Sequence, residues 1–140
     1  MSKIAIVYWS GTGNTEAMAN AVWEGAKEKG ADPVLLTCAE FDASMISSFD
    51  GIAFGCPSMG AEVLEETEFE PMFAACKSLL AGKKVALFGS YGWGDGEWMR
   101  TWKSDCNAAG INLVCSYVIC HEAPDEKALT DCKVLGAALV

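Results

Sequence analysis

The chain has 140 residues, 51% hydrophobic and 21% charged, which suits one core and is too short for two. Ten basic residues against nineteen acidic ones give a formal charge of -9, the wrong sign for a phosphate backbone or an anionic membrane, which argues against a nucleic-acid role. Having one arginine, Arg100, and one histidine, His121, starves any mechanism that needs a histidine-rich metal site, a catalytic dyad or an arginine clamp.

The first apolar run, Lys3 to Trp9, begins just after Met1-Ser2 and is too short for a signal segment or a membrane span; a cytoplasmic location is the expectation. Ile4-Ala5-Ile6-Val7 is apolar at consecutive positions, which predicts a strand covered on both faces, as in a parallel sheet flanked by helices. From Asn14 to Lys29, Ala17, Met18, Ala21, Val22 and Ala26 form one stripe, and Gly30 follows where a helix-terminating glycine belongs. Further strands are predicted at Pro33 to Cys38, Gly51 to Cys56, Lys84 to Ser90 and Asn112 to Cys120. Between them, helices are predicted from an N-cap at Asp42, and over Phe69 to Leu80, Glu97 to Ala109 and Asp125 to Leu139.

Strands and helices alternate throughout, with no linker, repeat or low-complexity tract, so residues 1–140 are expected to form a single domain. Right-handed crossovers then give an α/β fold, a three-layer doubly wound sandwich around a five-stranded parallel sheet in the order 2-1-3-4-5. Ligands of such sheets bind beyond the carboxyl ends of the strands, where the winding reverses between strands one and three. Seven cysteines, an odd number with no pair at a metal-ligand spacing, read as reduced, small core residues.

Three loops fall at that end. The first, Ser10-Gly11-Thr12-Gly13-Asn14-Thr15, offers backbone N–H groups and three hydroxyls at the positive end of a helix dipole, an arrangement that cradles an anion. No lysine occurs between Lys3 and Lys27, so the phosphate loop of nucleotide hydrolases is missing. Glu16 stands where the dinucleotide fingerprint needs a small residue, which disfavours NAD bound that way. The second loop, Cys56-Pro57-Ser58-Met59-Gly60-Ala61-Glu62, exposes an apolar Met59. The third, Ser90-Tyr91-Gly92-Trp93-Gly94-Asp95-Gly96, sets an indole among glycines, free to lie against a planar ring. These residues describe a site for a planar cofactor carrying one phosphate group.

The runs Tyr8 to Glu16, Met59-Gly60, Glu62 to Glu66, Phe69-Glu70-Pro71 and Gly82 to Gly96 resemble the clostridial type of short-chain flavodoxin over nearly the whole chain. The resemblance implies a low-potential one-electron carrier on non-covalently bound FMN, shuttling between quinone, semiquinone and hydroquinone, without substrate turnover of its own. By position it implies that Ser10, Gly11, Thr12, Gly13, Asn14 and Thr15 hold the phosphate. It places Ser58, Met59, Gly60, Ala61 and Glu62 at the flavin edge, with Glu62 accepting from the flavin N3–H. Ser90, Tyr91, Gly92, Trp93, Gly94 and Asp95 form the third contact, Trp93 stacking on the ring. It further implies that the Gly60 carbonyl turns toward the flavin N5–H on one-electron reduction, a movement glycine permits. Two stretches depart from the pattern: Ala61, where close relatives often carry a carboxylate, and Cys120-His121-Glu122-Ala123-Pro124.

Glu62, Glu65, Glu66, Glu68 and Glu70 fall within nine residues without a basic partner. At about 10 Å and an effective dielectric near 40, each such charge opposes an added negative charge by roughly 0.8 kcal/mol. The same acidic rim is expected to attract basic redox partner proteins to a protein acting as a monomer. Of the rival readings, an FMN-dependent NAD(P)H:quinone reductase needs a second-substrate pocket for which the chain has no spare segment. A receiver domain needs acids after strand one and an aspartate ending strand three, where Trp9-Ser10-Gly11 and Gly55-Cys56-Pro57 stand.

Overall fold

The computed structural model describes residues 2–140. Strands β1 (Lys3–Tyr8), β2 (Asp32–Thr37), β3 (Gly51–Gly55), β4 (Lys84–Tyr91), β5 (Asn112–Leu113) and β6 (Val118–His121) form one sheet. Its order is β2-β1-β3-β4-β5 with β6 also on β4, and every pairing is parallel. Helices α1 (Asn14–Glu28), α2 (Phe69–Cys76), α3 (Glu97–Ala108) and α4 (Glu126–Ala138) fill the connections. The doubly wound order predicted from the alternation is the one observed.

The consecutive apolar residues of the central strands divide between two faces. Ala5, Val7, Ile52, Phe54, Val85 and Leu87 meet Phe69 and Phe73 of α2 and Trp98, Met99 and Trp102 of α3. Ile4, Ile6, Ala53, Ala86 and Phe88 meet Met18, Val22 and Ala26 of α1 and Leu135 of α4. On that second face α1 and α4 touch backbone to backbone: a methyl at Gly25 would overlap the Lys133 carbonyl, and one at Gly136 the Val22 carbonyl.

Three elements differ from expectation. The segment after Asp42 is a short 3-10 helix, Ala43–Ser48, whose Asp42 carboxylate accepts from Ser44 N at 2.9 Å. The third predicted helix narrows to 3-10 over Lys77–Leu79. The fifth strand, expected to run unbroken from Asn112 to Cys120, is instead two pieces. Lys84 and Val85 pair with Asn112 and Leu113, and Phe88 to Tyr91 pair with Val118 to His121. Residues 114–117 therefore face only Ala86 and Leu87, and the surplus bulges out of the ladder.

All seven cysteines are free thiols. Cys38, Cys56, Cys76, Cys106 and Cys132 are buried and Cys115 and Cys120 half-buried. Burial pushes the thiols of Cys76 and Cys106 up to about 11 and that of Cys132 to about 12, so they serve the core as small apolar groups.

Candidate functional site

The carboxyl ends of β1, β3 and β4 deliver the three loops to one rim. The first is stabilised from within: Ser10 Oγ accepts from Gly13 N at 3.1 Å and Glu16 N at 3.3 Å. Gly13 has φ 94°, which glycine adopts without steric cost, and as the N-cap of α1 it offers no capping side chain. The helix thus opens toward the rim with its dipole and those of its first amides that Ser10 does not take available to an anion. Thr15, by contrast, turns inward. Its Oγ1 lies 3.1 Å from Ser90 Oγ, both residues being buried, so the hydroxyl expected among the anion's ligands ties the first loop to the third.

Loop two is a tight turn closed by an antiparallel bridge, Met59 N to Val63 O and Val63 N to Met59 O, each 2.9 Å. Gly60 at its tip has φ 52°. Glu62 has φ 56° and Glu122, in the turn after β6, φ 59°; they are the two non-glycine residues with positive φ among the described residues, and both lie beside the site. The Glu62 carboxylate lies over Gly94 and accepts from Glu97 N at 3.2 Å, capping α3, whose own N-cap is Gly96.

Loop three joins the others through several contacts. Ser58 N donates to Ser90 O at 3.0 Å, and Trp98 Nε1 to Cys56 O at 3.1 Å. Trp93 is 52% exposed, and its Nε1 donates to Gly60 O at 3.2 Å, spanning loops two and three. Asp95 faces away to Arg100, 2.9 Å from Nη2, and the guanidinium holds its carboxyl below the ordinary range.

Between the loops lies a cavity of about 240 Å³. It brings together Gly11, Thr12 and Asn14 of the first loop, Ser58 and Met59 of the second, and Ser90, Tyr91, Gly92 and Trp93 of the third. Ser10, Gly13 and Thr15 brace it from behind through the bonds above, and Gly60, Ala61, Glu62, Gly94 and Asp95 lie outside its lining. Trp9, Pro57 and Glu122 also line it. Sequence reasoning left these three out of the site; Glu122 follows the β6 strand that pairs with β4, its N donating to Tyr91 O at 2.7 Å. No basic side chain lines the cavity, and Ser58 Oγ, wholly buried, has no hydrogen-bond partner. The set fits FMN: amides and a dipole for its phosphate, an exposed indole and a thioether for its ring, and a spare hydroxyl.

The acidic run is not the uniform field that its sequence suggests. Glu65 is 5% exposed and accepts from Glu68 N at 2.7 Å, Phe69 N and Thr67 N at 2.9 Å, and the Thr67 hydroxyl, so it caps α2. Glu68 accepts from Trp9 Nε1 at 3.2 Å. Glu66 and Glu70 remain exposed at a hollow of about 470 Å³ between loop two and α3, floored by Leu64, Trp98 and Trp102. His121 is exposed, 3.5 Å from the Glu122 carboxylate and edge-on to Tyr91.

Comparison with known proteins bears on the whole chain. The family model described as Flavodoxin matches residues 6–136. The flavodoxin of Megasphaera elsdenii is 45% identical over 135 residues, 96% of each chain. That of Clostridium beijerinckii is 46% identical over 131 residues, 94% of each. The solution structure of two-electron reduced Megasphaera elsdenii flavodoxin superposes with a TM-score of 0.89, covering 97% of both chains.

Proposed function

The chain belongs to the flavodoxin family, and from that premise we propose how its three loops hold the cofactor and where its partners dock. It is an electron carrier on non-covalently bound FMN and has no substrate turnover of its own. When bound, FMN takes up and releases electrons one at a time through its tricyclic ring.

The loop Ser10 to Thr15 holds the phosphate with backbone amides, the α1 dipole and short hydroxyls. Met59 to Glu62 and Ser90 to Asp95 hold the ring and its edge, Met59 and Trp93 covering its faces, and Ser58 lines the same cavity beside them. Residues 1–140 act as one unit. The observation that carries this reading is the convergence of the α1 N-terminus, whose N-cap is Gly13, and an exposed indole on one cavity that no basic side chain lines. An anionic ligand whose phosphate is kept rather than transferred suits such a site.

The test is direct. Purified protein is expected to be yellow, the apo-protein to take up FMN stoichiometrically, and dithionite to reduce the complex in two separate one-electron stages. Colourless protein that refuses FMN overturns the reading. Steady oxidation of NAD(P)H by a quinone would point to the enzyme instead.

Flavodoxins exchange electrons with partner proteins. Here the rim beside Trp93 carries Glu62, Glu66, Glu70 and Asp105 around the apolar floor of the larger hollow, with Val63 39% exposed at its edge. A basic partner that sets lysines or arginines around an apolar contact matches this surface, and the protein works as a monomer in the encounter.

A further inference from the structure

We propose that the Ser58 hydroxyl is a hydrogen-bonding handle for the polyhydroxylated chain that links the phosphate of the cofactor to its ring, an inference that rests on the FMN reading above. Ser58 is 3% exposed, and its Oγ is the one buried hydroxyl without a partner among the described residues. Three neighbouring hydroxyls are already engaged. Ser10 Oγ accepts two amides of its own loop, and Thr15 and Ser90 bond each other at 3.1 Å. The main chain at Ser58 is also fixed, its N–H donating to Ser90 O at 3.0 Å and Pro57 preceding it with a locked φ.

Its place between the loops identifies what it serves. Ser58 shares one cavity with Thr12 and Asn14, from the phosphate loop, and with Met59 and Trp93, which flank the ring. A molecule with an anion at one end and a tricycle at the other must lay its linker between those two groups. A serine hydroxyl both donates and accepts, as a sugar-alcohol hydroxyl does, so either partner can supply the proton.

The unpaired state gives the proposal an unusual sign. A buried hydroxyl without a partner destabilises the protein that carries it, and the same hydroxyl stabilises a complex in which it is matched. Ser58→Ala should therefore leave the FMN-free protein as stable as the wild type or more so, while FMN binding weakens by about 5- to 10-fold.

The experiment titrates wild-type and Ser58→Ala apo-protein with FMN, riboflavin and lumiflavin, which lacks the sugar chain, following quenching of flavin fluorescence, and melts both FMN-free proteins. FMN and riboflavin should lose the same factor, lumiflavin should lose none, and the variant's Tm should not fall. An unchanged Kd for FMN overturns the proposal. Equal weakening for lumiflavin assigns the hydroxyl to the ring and also overturns it, as does a lower Tm of the FMN-free variant, which would make the hydroxyl structural. Wild-type protein that takes up none of the three flavins would overturn the FMN reading itself, a result distinct from any of these.

Discussion

Glu65 shows how much one carboxylate does when it is turned inward. Burial alone would raise its pKa, but the Thr67 hydroxyl and the amides of Phe69, Thr67 and Glu68 outweigh burial and hold it below the ordinary carboxylate range. A depressed folded pKa contributes stability above the unfolded value of about 4.3, lost as pH falls through the folded value. Glu65→Gln should therefore cost about 1.5–3 kcal/mol near neutral pH, with the difference shrinking toward pH 3, as urea unfolding at the two pH values will measure. Trp93 is a different case, since little beyond the Gly60 carbonyl holds it. Trp93→Ala should weaken FMN binding by about 1–3 kcal/mol, roughly 10- to 100-fold, with almost no change in the melting temperature of the apo-protein. At Gly60 an added methyl has room, its nearest neighbours being 3.9 Å away, so Gly60→Ala acts through the left-handed backbone alone. It should bring the two one-electron midpoint potentials closer together in a spectroelectrochemical titration.

At the scale of elements, α1 and α4 meet through Gly25 and Gly136. Two effects compete in Gly136→Ala: better helix propensity, about 1 kcal/mol, and overlap with the Val22 carbonyl. Backbone cannot move aside as a flexible side chain does, so overlap wins, and the variant should lose about 1–3 kcal/mol in denaturant unfolding. The helices themselves were legible: the stripe from Ala17 to Ala26 and the terminating Gly30 place α1 within a residue of its observed end. The break in the fifth strand was not. Asn112 to Cys120 contains no proline or glycine, and the interruption comes from the mismatch of residues 114–117 against Ala86 and Leu87, a property of two strands together. The site was read similarly. Its loops were visible from glycines and hydroxyls, whereas Trp9, Pro57 and Glu122 enter the cavity through tertiary placement. The inward turn of Glu65 had one available signal, an acid just ahead of a helix start, where free amides attract it.

For the molecule as a whole, a charge of -9 is spread unevenly in effect. Glu65 is withdrawn into amides and Glu68 is engaged with Trp9, so both keep their charge but fewer carboxylates are free to pair with a partner's cations than the sequence suggests. Electron transfer to a basic reductase should slow on the order of tenfold as ionic strength rises well above 0.1 M, where the screening length falls below about 10 Å. Glu66→Gln with Glu70→Gln should flatten that salt dependence in stopped-flow measurements, whereas Lys127→Gln, on α4, which packs on the sheet face opposite α2 and α3, should not. A protein that exchanges electrons with partner proteins also has to avoid adhering to its own copies. The two margins of the sheet bear on this: β2 carries Pro33, which has no amide proton to offer, and the other margin is broken between Leu113 and Val118. Neither margin presents the long, regular row of peptide groups on which a foreign strand could zip, so crowding many copies together gives fibrils little template to grow from.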